Sequence, residues 1–159
     1  MNIFILDEDP YIAATYHCDK HVIKMIVESA QILCTVLHKK GITEIPYKPT
    51  HQNHPCVLWT EQSFENFSWL VRLLNGLLIE YTLRYSKRHK TEDVYEFIDS
   101  FLNNVIKNLP WNKNTLTPFA LAMPDEYKTN NPVTSYRNYY IGTKKDICTW
   151  KTNIPEWMK

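Results

Sequence analysis

Glycine is nearly missing from this chain: Gly41, Gly76 and Gly142 are the only three in 159 residues. A P-loop, a G-x-G-x-x-G turn and a G-x-S-x-G elbow each need several glycines close together, so all three are excluded. An excess of one charge is also missing. Eighteen Lys and Arg face seventeen Asp and Glu, for a net +1. That excludes a histone-like, charge-driven nucleic-acid binder and leaves room for a local basic patch. No apolar run approaches the length needed to span a bilayer. The opening Met1-Asn-Ile-Phe-Ile-Leu has no basic n-region and its apolar run stops at Asp7, so a cytoplasmic protein without targeting or membrane segment is expected. The four cysteines, Cys18, Cys34, Cys56 and Cys148, form no C-x-x-C. They read as buried, reduced thiols and not as a disulfide frame or zinc ribbon.

What is present is an ordinary globular composition, 44% hydrophobic, with an unusual 13% of aromatic residues. The length suits one domain over residues 1–159. Ile3 to Leu6 reads as one short buried strand, which would have to pair with another short segment. Asp9 is a good N-cap with Pro10 at the first helical position, and the helix beginning there is expected to run to about Lys40, where Gly41 stops it. Asn53-His54-Pro55 opens a second helix, to about Ser86, with Gly76 marking a close helix crossing. Thr91-Glu92-Asp93 caps a third, to about Asn108. Residues 109–131 read as loop, with a short helical turn at 118–122. Asn131-Pro132 opens a last helix over about 133–141. The fold class is therefore mainly α: a single domain of four or five helices with a short N-terminal strand at its edge.

At 100° per residue, the apolar side chains of the first helix, among them Val22, Ile23, Ile26, Leu33 and Leu37, cover more than half its circumference. The remaining stripe is His17, His21, Lys24, Glu28, Gln31, Thr35 and His38. A solvated face is one reading of that stripe. Its mixture of His, Lys, Glu and Gln, on a helix with little surface to spare, favours a cleft. Asp19 falls within the apolar arc. A buried carboxylate needs either a cationic partner or a chemical task.

Two more constellations stand out. Tyr47 to Pro55 is a polar loop directly before a helix, placing His51, Asn53 and His54 where an anion would find free backbone N–H groups. They could equally be capping residues. Tyr136, Arg137 and Tyr140, followed by Lys144, Lys145 and Lys151, combine a guanidinium with aromatics, the composition that binds phosphate and stacks on bases. Those tyrosines could equally be core. His17 and His21 lie four residues apart on one helix, and His51 or His54 could add a third ligand, but there is no H-E-x-x-H, no Cys set and no acidic pair at fixed spacing, so no metal or other cofactor is expected.

The strings Met1-Asn-Ile-Phe-Ile-Leu-Asp-Glu-Asp-Pro10, Cys18-Asp-Lys-His-Val-Ile-Lys-Met25, Thr50-His-Gln-Asn-His-Pro55, Pro118-Phe-Ala-Leu-Ala-Met-Pro-Asp-Glu-Tyr127 and Tyr136-Arg-Asn-Tyr-Tyr140 resemble a family of short proteins of bacteriophage and other viral genomes. The resemblance covers nearly the whole chain. It implies a viral origin and carries over no catalytic role.

From the residues themselves, an enzyme acting on a nucleotide or on DNA is expected, cleaving an N-glycosidic or phosphoester bond. Asp19, His21 and Glu28 would do the chemistry. Lys20, Lys24, His51, Asn53, His54, Tyr136, Arg137 and Tyr140 would hold the substrate. The alternative is a module that sequesters a nucleotide or a host protein without turnover.

Overall fold

The computed structural model describes residues 1–159, and it is helical throughout. α1 spans Pro10–Tyr16, α2 Asp19–Lys39, α3 Pro55–Gln62, α4 Phe64–Tyr85, α5 Glu92–Phe101 and α6 Pro132–Thr143. Short 3-10 turns lie at Ile106–Asn108, Asp125–Tyr127 and Glu156–Met158.

The predicted helix starts are present. The Asp9 carboxylate accepts from the Tyr11 and Ile12 N–H groups with Pro10 at the first position. His54 Nδ1 accepts from the Cys56 N–H ahead of α3, and the Asn131 side chain accepts from the Thr134 N–H ahead of α6. Each satisfies a donor that the first helical turn leaves open. Gly41, just past α2, has φ +95°, the left-handed stop that glycine adopts without strain. Gly76 lets α4 meet α1: a Cβ there would stand 2.8 Å from Ala14 Cβ.

Four expectations are corrected. The helix expected from Pro10 to Lys40 is two helices, broken at His17 and Cys18, which are extended. The break survives because its freed backbone groups find distant partners. Arg84 donates to the Thr15 and His17 carbonyls, and the Thr149 carbonyl accepts the Asp19 N–H at 2.8 Å. The second helix is likewise broken, at Ser63, where a β-bridge to Lys113 replaces a helical turn. Ile3 to Leu6 is buried but forms no strand. Its polar neighbours serve instead, Arg137 Nε donating to the Leu6 carbonyl at 2.9 Å. The turn expected at 118–122 is absent, and a 3-10 turn stands at Asp125–Tyr127.

The core lies where α4 packs against α1, α2, α3 and α5, while α6 closes over the N-terminal segment. Phe4 of that segment sits among the rings of His17, His21, Tyr136 and Tyr140.

Candidate active site

Because α2 starts at Asp19, the expected polar stripe keeps His21, Lys24, Glu28, Gln31, Thr35 and His38 on one helix and loses His17. His17 precedes α2 and is wholly buried. Its Nδ1 hydrogen-bonds the Ala13 carbonyl at 2.7 Å, and its Nε2 has no partner. Burial pushes its pKa down to about 3, so it is neutral. His21 is also buried. It stacks on Phe4 and meets the Tyr140 hydroxyl at 2.6 Å. Tyr140 in turn accepts the Cys18 N–H at 3.2 Å. The Cys148 thiol, hydrogen-bonded to Cys18 with His21 beside them, holds the Cys18 thiol well below its usual range against the opposing effect of burial. Lys20 and Lys24 point outward, and so does Ile23, which the helical wheel had placed in the apolar arc.

Asp19 is fully engaged. Its Oδ1 accepts from Arg84 and from the Lys151 N–H, both at 3.1 Å, and its Oδ2 accepts from the Thr149 hydroxyl at 3.2 Å. Tyr136 is buried, donating to the Ala120 carbonyl at 2.6 Å. Arg137 is half-buried, paired with Asp7 at 3.3 Å and lying over the rings of Tyr16 and Trp157. Asp19, Tyr136 and Arg137 thus tie together the α1–α2 junction, the N-terminal segment and the tail.

Glu28 is different. Its side chain is 13% exposed, and no buried guanidinium neutralises it. Oε2 accepts the backbone N–H of Asn2 at 2.9 Å and lies 3.7 Å from the amino group of Met1. Oε1 lies 3.6 Å from the Lys24 ammonium. Asn2 is itself fastened, its amide donating to the Ala122 carbonyl at 2.9 Å and its Oδ1 accepting from the Ile3 N–H at 2.7 Å. His54 senses this cluster: burial first, then the positive charges of the amino terminus and His51, lower its pKa, and Glu28 opposes them. The structure therefore groups Glu28 and Lys24 with Met1 and Asn2, and Cys56, two residues past His54, reaches Asn2 Oδ1 at 3.6 Å. Asn53 is exposed on the same loop. Met1 and Asn2 were missed from sequence because nothing local tells a terminal amine that its partner is a carboxylate on α2.

No three His, Cys, Asp or Glu side chains converge as a metal site would require. No helix is long and apolar enough to cross a membrane. The four cysteines are free.

A family model described as pyrimidine dimer DNA glycosylase matches residues 1–93, a span that holds Asn2, Lys24, Glu28, His51 and His54 and stops short of α6. No curated protein and no solved structure matches the chain.

Proposed function

The chain belongs to the pyrimidine dimer DNA glycosylase family, and from that membership we propose that it cleaves the N-glycosidic bond of a damaged pyrimidine nucleotide at Glu28. The observation that carries this reading is a shielded carboxylate with amino groups on both sides, Met1 at 3.7 Å and Lys24 at 3.6 Å. Such a carboxylate takes a proton from an ammonium and leaves a nucleophilic amine. The amine nitrogen bonds C1′ as the bond from C1′ to the base breaks, and the departing base takes up a proton. Glu28 hands that proton on to the departing base and, ionised again, stabilises the positive charge that gathers on the sugar. His54, whose Nδ1 accepts the Cys56 N–H, presents Nε2–H as a donor. Lys20 and Lys24 are exposed on the turns of α2 leading to Glu28 and supply phosphate contacts. Asp19, held by Arg84, is a structural partner in this reading. The viral setting rests on the resemblance of the strings quoted above.

The test is release of base from duplex DNA carrying one pyrimidine dimer, with and without borohydride. Turnover that disappears in Glu28→Gln, together with a borohydride-trapped adduct on the Met1 or Lys24 peptide, supports the assignment. Release of base with no adduct removes the amine in favour of water. Binding of damaged DNA without any release by the wild type returns the non-catalytic reading.

A further inference from the structure

This inference rests on the glycosylase reading and concerns what keeps the reacting amine in place. Chain termini fray unless something ties them down, and an amine that wanders from C1′ forfeits the gain of a fixed approach. Here the terminus is tied. The Asn2 N–H donates to Glu28 Oε2 at 2.9 Å, and the Met1 amino group lies 3.7 Å from that same oxygen. The Asn2 side chain supplies the second tie, its Nδ2 donating to the Ala122 carbonyl at 2.9 Å. Ala122 belongs to the string Pro118-Phe-Ala-Leu-Ala-Met-Pro124, which lies beyond the residues that the family model matches.

Residues 116–122 form no helix or strand, so their backbone polar groups depend on side chains for partners. Asn66 Oδ1 accepts the Thr117 N–H at 2.9 Å, and Trp59 Nε1 donates to the Thr117 carbonyl at 3.3 Å. The Phe119 ring packs on those of Trp59 and Trp69, with centroids 5.2 and 5.1 Å away. The far end of this bracket is held by α6. The Tyr136 hydroxyl donates to the Ala120 carbonyl at 2.6 Å, and its oxygen accepts the Ala122 N–H at 3.2 Å. Tyr136 has no solvent exposure, so it does not touch DNA itself. Removing its hydroxyl would leave the Ala120 carbonyl and the Ala122 N–H without their partner.

We propose that Tyr136 is a positioning residue for glycosidic cleavage: through Ala122 and Asn2 it holds the Met1 amine against Glu28. Every link in that path is a hydrogen bond, so its directionality passes from the phenol to the terminus. With the hydroxyl gone, Ala122 is free to shift, Asn2 swings with it, and the amine one residue ahead leaves its place beside the carboxylate. Glu28 keeps its charge and the exposed lysines keep their phosphate contacts. The loss therefore falls on the rate and spares DNA binding. The Tyr136 ring also meets Phe4, at 6.2 Å between centroids, a contact that a phenylalanine at this position keeps.

Tyr136→Phe, Asn2→Leu and the double variant are compared with the wild type in single-turnover release of base from a duplex carrying one pyrimidine dimer, with borohydride trapping, and in equilibrium binding to the same duplex. Each single variant is expected to slow release by about tenfold at wild-type affinity. Because Tyr136 acts through Asn2, the double variant is expected to be no slower than the slower single one. Losses that multiply to about a hundredfold overturn the inference, as does a wild-type rate in Tyr136→Phe or an adduct trapped on the Lys24 peptide. A second readout needs no turnover: acetylation of the Met1 amine in the free protein, measured by peptide mass against Lys24. It is expected to be several-fold faster in Tyr136→Phe, and in Phe119→Leu, which loosens the bracket from its other end. Wild-type acetylation in both overturns the inference. Faster acetylation in the variants, with a wild type that releases no base, overturns the glycosylase reading alone.

Discussion

Arg84 and Asp19 form a 3.1 Å ion pair across α4 and α2, and the same guanidinium donates to the carbonyls that the end of α1 leaves open. Arg84 also pairs with Glu80 at 2.9 Å, and its side chain has no exposure. One residue therefore stabilises both the break between the helices and the carboxylate that follows it. Replacing Arg84 with Met would strand two buried carboxylates and two carbonyls. A loss of about 3–5 kcal/mol, the scale for a broken buried pair, is expected from denaturant unfolding. Asp19→Asn is expected to lower stability as well. A folded, stable Asp19→Asn protein that lost only turnover would return Asp19 to the chemistry.

Gly76 meets Ala14 too closely for any side chain. Gly76→Ala is expected to cost about 1–3 kcal/mol, as overpacking does, despite alanine's higher helix propensity. Thermal unfolding reads this directly. Ala14→Gly in the same chain should recover part of the loss, since it removes the atom that is struck.

His17 makes stability depend on pH. Its folded pKa, about 3, lies below the 6.5 of an exposed imidazole. Between those values the unfolded chain binds the extra proton and the folded chain does not, so stability falls as pH drops through that window and is fully present above it. The expected measurement is a fall in unfolding free energy from pH 7 to pH 4 that is shallower in His17→Asn. Equal slopes in the two proteins would place the acid sensitivity elsewhere.

Lys24 is 65% exposed and lies 3.6 Å from Glu28. Lys24→Ala is expected to melt like the wild type and to bind DNA more weakly. If Lys24 contacts a phosphate, the slope of log affinity against log salt should fall by about one. An unchanged slope with lost turnover would instead make Lys24 the attacking amine.

Several features of this chain were decided within a few neighbouring residues. Asp9-Pro10, His54-Pro55 and Asn131-Pro132 start helices because the cap and the donors it satisfies lie within one turn. Gly41 ends α2 for the same local reason, and periodicity alone announced a mainly helical domain; it placed the first long helix at the centre, where the structure places α4. Glu28 was already visible as a polar residue on a helix with little surface to spare. The breaks at His17 and Ser63 were invisible, because helical propensity and periodicity run straight through them. Only Arg84, 67 residues beyond His17, and Lys113, through its bridge to Ser63, make the interruptions stable. The fates of Asp19 and Glu28 were likewise undecided on the helical wheel, where Asp19 was an acid in the apolar arc needing a partner and Glu28 a member of the polar stripe. Tertiary packing gave Asp19 a buried guanidinium and gave Glu28 the backbone of Asn2, 26 residues away, with amines around it. Charge neutralisation acts over a few ångströms of space regardless of separation along the chain, so the folded structure alone determined which partners each acid received.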